Sequence, residues 1–380
     1  MRSVQRDKPG RLGALVLGAS SLILPLLRIR PNRILMGEAL RLPELTGWGL
    51  PFAAAIAVAA CVFLLAPARY RPLRQTAAAL GTALPLVALA WAAQVPALQG
   101  EGNRLSLSFG FLGMLLGSVL MLWSLGKGPA GRWLRGGWLL LFLALLLGGR
   151  YDALSLMQEY AIRRDAFWAH VGRHVVLALS ATLGALALGL PLAALLWRRP
   201  RVRRGVMAVL NVGQTIPTLS LLGLLMAPLS WLGRNSPLLN SWGVSGVGFW
   251  PAWIALFVYC LFPILYNALA GLSLVDPDVT HAGTAMGMSG TQVFLRIRLP
   301  LAAPLMLTGT RIALTQSMGN ATLAALIGGG GLGSFIFLGM AQSAADLILL
   351  GTLPLIALAT LSDGAMGWLA RRIQRRDLHD

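Results

Sequence analysis

His170 and His174 stand four residues apart, a spacing that puts two imidazoles on one helix face. A metal centre needs a third and usually a fourth ligand. No further histidine, cysteine or carboxylate joins them, so they read as a pair at an interface between packed elements. Cys61 and Cys260 lie in separate apolar runs and read as small hydrophobes, not as a disulfide or a metal pair. The run Gly328–Gly333 (GGGGLG) has the look of a phosphate loop but lacks the Lys-Ser/Thr that one requires. The outer acids Asp152, Glu159 and Asp165 form the one acidic cluster that an intramembrane enzyme could use. These residue types together point to no catalytic residue, no metal and no cofactor in this chain. Arg311 is different. It is the single cation well inside an apolar run, about eleven residues or ~16 Å of helix beyond Pro300. Charges at such depth face a cavity or a partner, and Asp363 is the candidate partner.

The elements that must position these residues follow from composition. Of 380 residues 56% are hydrophobic and 12% charged, against about 25% charged in soluble domains. Mean hydropathy is +0.70. Such a chain cannot hide its apolar surface in water, which excludes a soluble enzyme and a secreted disulfide scaffold and leaves an all-α, polytopic helical membrane protein. Ten apolar runs are candidate spans, the first of them short: roughly 12–27, 47–66, 75–95, 105–125, 133–149, 175–197, 205–229, 249–274, 300–325 and 346–370. Pro217, Pro228, Pro263 and Pro354 read as kinks within spans.

Net charge is +19. The cations gather in short connections, the positive-inside pattern, so no nucleic acid is implied. Residues 2–11, 69–74, 127–135, 198–204, 296–298 and 371–376 hold 21 cations, and the opposite connections, including a loop at 28–41, hold 10. Both termini are therefore expected in the cytoplasm, and the protein in a cytoplasmic membrane. The chain divides into five plain spans (1–150), a polar outer connection with a surface helix (151–170) and a C-terminal half (171–380). That half contains the longest cytoplasmic loop, 275–299. There, Asp276-Pro277-Asp278 can start a helix, Gly287 and Gly290 can break it, and a second short stretch runs from Thr291 to Arg298 into Leu299-Pro300.

This loop resembles the EAA loop of permease subunits of binding-protein-dependent ABC importers, which reads E-A-A, three residues, Gly, nine residues, I-x-L-P. Here it is His281-Ala282-Gly283, three residues, Gly287, nine residues, Ile297-Arg298-Leu299-Pro300. The glycine and the I-x-L-P keep their spacing, while His281 and Gly283 depart from the pattern. Four further stretches resemble the osmoprotectant (glycine betaine, choline, proline betaine) branch: Gln214-Thr215-Ile216-Pro217-Thr218, Pro263–Asn267, Gly309–Ala313, and the unbroken Asn320–Gly333. The resemblance covers roughly residues 165–372, and the first five spans look like the extension of low-affinity betaine-type permeases.

The resemblance implies a MetI-like permease fold in the C-terminal half and a non-catalytic role in ATP-driven alternating access. It implies cytoplasmic ATPase subunits that use ATP and Mg, an extracytoplasmic binding protein and a second permease subunit, the same or a paralogue. Asp276, His281, Ala282, Gly283, Gly287, Ile297, Leu299 and Pro300 would couple to the ATPase. Gln214, Thr215, Pro217, Asn267, Arg311, Asn320 and Asp363 are candidates for the path or gate. Gly328, Gly329, Gly330, Gly331 and Gly333 would form an outer gate loop. The alternatives are a permease for another small solute such as an amino acid, and an ion-coupled secondary transporter.

Overall fold

The computed structural model describes residues 2–31, 37–67, 69–100, 103–126 and 128–376, with side chains from Lys8 to Arg372. Arg33 and Lys127, counted above among the loop cations, lie outside the described residues. Two compact units are present: residues 1–163 with 339–347, and residues 164–338 with 348–380.

The first unit contains α1 (Arg2–Ile23), α2 (Gly49–Leu65), α3 (Arg71–Ala92), α4 (Phe109–Ser124), α5 (Pro129–Leu147) and the short α6 (Ser155–Ile162). Its core is built on Leu17, Ile56, Phe63, Met114 and Met121, all fully buried. Glycine brings α1 and α4 together: a Cβ on Gly117 would lie 2.6 Å from the carbonyl oxygen of Gly13. Small residues of this kind let membrane helices pack backbone to backbone.

A small sheet joins these helices. β1 (Pro25–Arg30), β2 (Glu38–Arg41) and β3 (Arg104–Leu107) pair antiparallel in the order β2-β1-β3. Strand alternation explains it. Leu27 and Ile29 pair with Leu107 and Leu105, while Arg28 and Arg30 pair with Ser106 and Arg104. The expected apolar run 12–27 therefore ends as helix at Ile23, and the arginine-rich loop expected at 28–41 contributes two paired antiparallel strands.

Polar groups are gathered at one place in this unit. Asp346 accepts from Ser106 Oγ at 2.7 Å and Ser155 Oγ at 2.8 Å. Glu159, only 1% exposed, accepts from Arg104 at 2.7 Å and Arg163 at 2.9 Å. Hence α6, expected along the surface, forms with Ser155 and Glu159 buried. Beside it the Tyr151 hydroxyl donates to the Leu86 carbonyl at 3.1 Å, and burial pushes its pKa up to about 12.

The second unit contains α7 (Arg164–Trp197), α8 (Pro200–Thr215), α9 (Thr218–Asn235), α10 (Pro237–Ser241), α11 (Phe249–Ser273), α12 (Pro277–Ala285), α13 (Gly290–Val293) and α14 (Leu299–Asn320). It also holds most of α15 (Gly333–Ala341) and α16 (Ala345–Arg376). Helix α11 packs between α7 and α14. Ala178, Ala181, Ala252 and Ala255 fill one layer of the core, Ala185, Cys260 and Ile264 the next, and Ala193, Leu196, Leu265 and Ala302 the last. Small residues dominate because the helices sit close: a Cβ on Gly309 of α14 would be 2.6 Å from the Pro263 carbonyl oxygen.

Six helices among the described residues are long and apolar enough to cross a membrane, seven if the bent pair α8–α9 counts as one span. The run 205–229, expected as one span kinked at Pro217, is in fact two helices meeting at 105° around Ile216-Pro217. The reason is local. Proline disfavours helix at the residue before it, and Ile216 is extended with φ −70° and ψ 124°.

Candidate functional site

The loop between α11 and α14 is the first of three candidate features. Asp276 caps α12, its side chain accepting from the Asp278 N–H at 2.9 Å. Helix α12 ends at Gly287, whose φ of +86° places it in the left-handed region that glycine adopts without penalty. Ser289 and Gln292 then form a capping box for α13. A single turn of π-helix, Phe294–Arg298, leads into Leu299-Pro300 at the start of α14. π-Turns of this kind recur at functional positions.

Two residues fasten the loop. A Cβ on Gly283 would fall 2.5 Å from Ile297 Cδ1, so the departure from alanine lets α12 lie against the π-turn. Arg298 donates to the Leu272 carbonyl at 3.1 Å and to Thr280 Oγ1 at 3.4 Å, and its guanidinium lies 4.1 Å from the centre of the Trp197 ring. One side chain thus ties together α7, α11, α12 and the π-turn. Outward, Val279, Ala282 and Met286 are exposed at helical spacing, Met286 by 82%. His281 lines a cleft of about 160 Å³ with Thr284, Phe294 and Arg298.

The second feature is the broken helix α8–α9. Pro263 lacks an N–H, so the Tyr259 carbonyl four residues earlier has no helical donor. Gln214 Nε2 supplies it at 2.8 Å, and the Tyr259 hydroxyl donates back to the Ile216 carbonyl at the bend. Thr215 satisfies itself on the Val212 carbonyl at 2.7 Å, and Asn267 bonds the Pro263 carbonyl at 2.8 Å. Gln214 and Tyr259 thus tie the bend to α11, whereas the Asn267 bond lies within α11 itself.

The third feature is the glycine loop. A 3₁₀ turn, Ala321–Ile327, follows Asn320, and Gly328, Gly330 and Gly331 all have positive φ. A Cβ on Gly333 would overlap the Thr322 carbonyl. Arg173 Nε donates to the Gly329 carbonyl at 3.2 Å, and the Gly248 N–H donates to the Ile327 carbonyl at 2.6 Å. His174 is fully buried, its Nε2 donating to the Met318 carbonyl at 3.0 Å while Nδ1 faces Gly331. The histidine pair thus backs the glycine loop. No group of three or more His, Cys, Asp or Glu disposed to hold a metal occurs among the described residues.

Arg311 and Asp363 meet as expected. Nε and Nη2 donate to Oδ1 at 2.5 Å and Oδ2 at 2.6 Å, a two-pronged fork between α14 and α16. The two side chains remain 45% and 41% exposed. Thr308, Arg311, Thr315 and Gly319 continue along the exposed face of α14, and Thr360, Asp363, Gly364 and Gly367 follow one side of α16.

The family comparisons agree with this architecture. Residues 185–375 match the model of the binding-protein-dependent transport system inner membrane component, and residues 7–157 match the N-terminal domain of the ABC transporter permease YehY. The chain belongs to the inner-membrane component family of binding-protein-dependent transport systems. It is an ABC transporter permease, a multi-pass inner-membrane protein. It is 35% identical over 208 residues to the carnitine transport permease OpuCB of Listeria monocytogenes, covering 55% of this chain and 88% of that one. It is 35% identical over 202 residues (53% and 81%) to the glycine betaine/carnitine/choline permease OpuCD of Bacillus subtilis. The osmoprotectant import permease OsmY of Salmonella typhimurium is 33% identical over 239 residues, covering 62% of this permease and 92% of its own length. Among solved structures the permease is similar to the inward-facing MetNI methionine ABC transporter, at 21% identity and TM-score 0.48, over 56% of this chain and 97% of that one.

Sequence reasoning missed Arg298, Tyr259 and Arg173 as organisers of these features. Pro263 is a signal that could have found Tyr259, because each proline in a helix orphans the carbonyl four residues back. The role of Arg298 depends on a tertiary contact with Trp197 that sequence spacing does not encode.

Proposed function

We propose that this permease imports small osmoprotectants of the betaine and choline class, driven by ATP hydrolysis in separate cytoplasmic subunits and supplied by an extracytoplasmic binding protein. The observation that carries the ATPase-driven part is the α12–π-turn loop. It is internally fastened by Gly283 and Arg298, yet offers Val279, Ala282 and Met286 outward. A rigid element with an exposed apolar stripe is what a docking groove needs if a push is to reach α11 and α14. Asp276, Gly287, Ile297, Leu299 and Pro300 shape that element, and His281 and Ala282 lie on its outward side. The cargo class rests on the relatives, which are permeases for carnitine and for glycine betaine, carnitine and choline.

In this reading the loop faces the cytoplasm, both termini do as well, and Gly328–Gly333 gates the outer side. Two permease chains enclose the path, with Arg311, Asn320 and Asp363 along it. Reconstitution with the cognate ATPase and binding protein tests the proposal. ATP-dependent uptake of glycine betaine or choline is the expected result. Uptake of neither solute, or uptake without the ATPase, contradicts it.

A further inference from the structure

The Arg311–Asp363 pair sits where an ion pair is expensive. Arg311 is the only ionisable residue of α14, and Asp363 the only one of α16 between Leu347 and Ala370. Arg311 lies twelve residues from Leu299 in a helix of 22 residues, so about 18 Å along its axis and near mid-depth. A pair placed there for packing alone would be expected to bury itself among α14, α16 and their neighbours. Instead both side chains are almost half exposed. They lie in line with Thr308, Thr315 and Thr360 on faces that carry hydroxyls and glycines. Ionisable residues at this depth face the bundle interior or a water-filled cavity, pair with one another, and mark substrate routes.

We propose that this pair is an exchange site for a zwitterion. The cargo carboxylate takes the Arg311 fork from Asp363, and the cargo quaternary ammonium settles against the Asp363 carboxylate so released. The inference rests on the osmoprotectant reading above and deepens it by naming the site and the ligand class. Charge complementarity carries it. Every charge has a partner before exchange, and every charge has one after it, so no group is stranded in a medium where an unpaired charge is costly. The carboxylate of a betaine can accept both prongs of the guanidinium, as Asp363 does now. Choline carries a cation and no carboxylate. It could neutralise Asp363 only by leaving Arg311 unpaired, so the site favours zwitterions over simple cations.

The test is uptake of radiolabelled glycine betaine and of choline by the permease reconstituted with its ATPase and binding protein, comparing wild type, Arg311→Gln and Arg311→Gln/Asp363→Asn. Co-purification of each variant with the ATPase subunit reports folding. The double substitution removes both charges and so strands neither. Under exchange, Arg311→Gln lowers the ratio of betaine to choline uptake at least tenfold, and the double variant does not regain wild-type betaine uptake. Recovery of both solutes to wild-type rates in the double variant, or an unchanged ratio in Arg311→Gln, shows a pair that only fastens helices and overturns the inference alone. If wild type moves neither solute, the cargo reading falls and takes the inference with it.

Discussion

At the scale of single residues, two absent groups, a Cβ and a backbone N–H, do much of the structural work. Gly283 has no Cβ because Ile297 Cδ1 occupies its place. Gly283→Val should therefore separate α12 from the π-turn, at a cost of about 1–3 kcal/mol for overpacking, and lower ATP-driven uptake. Adding Ile297→Ala should restore much of both, and a double-mutant cycle on thermal stability and uptake measures the coupling. Gln214 compensates the other absence, the N–H that Pro263 lacks. Gln214→Leu leaves the Tyr259 carbonyl unsatisfied in an apolar setting and should cost about 1–3 kcal/mol, read as a lower melting temperature in detergent. Tyr151 gives a pH signature outside the spans. Its folded pKa, about 12 because of burial, lies above the ordinary value near 10. The folded state therefore holds its proton longer than the unfolded state. This contribution is complete below pH 10 and fades as pH rises towards 12. Tyr151→Phe should flatten the loss of stability over that window, measured by melting curves at stepped pH.

At the scale of elements, the loop 276–300 was the most legible part of the chain. Asp276-Pro277 and Gly287 are local signals, and each does locally what its chemistry predicts, a cap and a left-handed stop; at Leu299-Pro300 no restart is needed, because helix runs unbroken from Gly290 through the π-turn into α14. The pairing of Arg311 with Asp363 was legible for a similar reason, since two opposite charges in apolar helices have few other partners. What local chemistry could not reveal depends on distant contacts. The π-turn is held by Trp197 and Leu272 through Arg298. The break at Ile216 is large because Gln214 and Tyr259 hold it open against α11. The sheet was hidden because Leu26-Leu27 extends the apolar run of α1, and its register becomes visible only when β3, some eighty residues on, lies beside it.

At the scale of the whole molecule, composition pointed to a helical membrane protein, and charge asymmetry predicts a direction for it. That direction predicts which ends face the cytoplasm. Cys61 is exposed and Cys260 buried, so accessibility experiments belong in a Cys61→Ser background. There, Gly331→Cys should react with an impermeant thiol reagent added outside intact cells, and Ala285→Cys only after permeabilisation. The reverse pattern would invert the topology. In the proposed function an ATPase subunit grips the loop that begins at Asp276. The most direct measurement is crosslinking from Ala285→Cys, introduced into the full transporter in native membranes, with a short heterobifunctional reagent. A covalent adduct with the ATPase subunit, its yield changing when ATP is added, is the predicted result. Absence of that adduct in a complex that still transports would contradict the account.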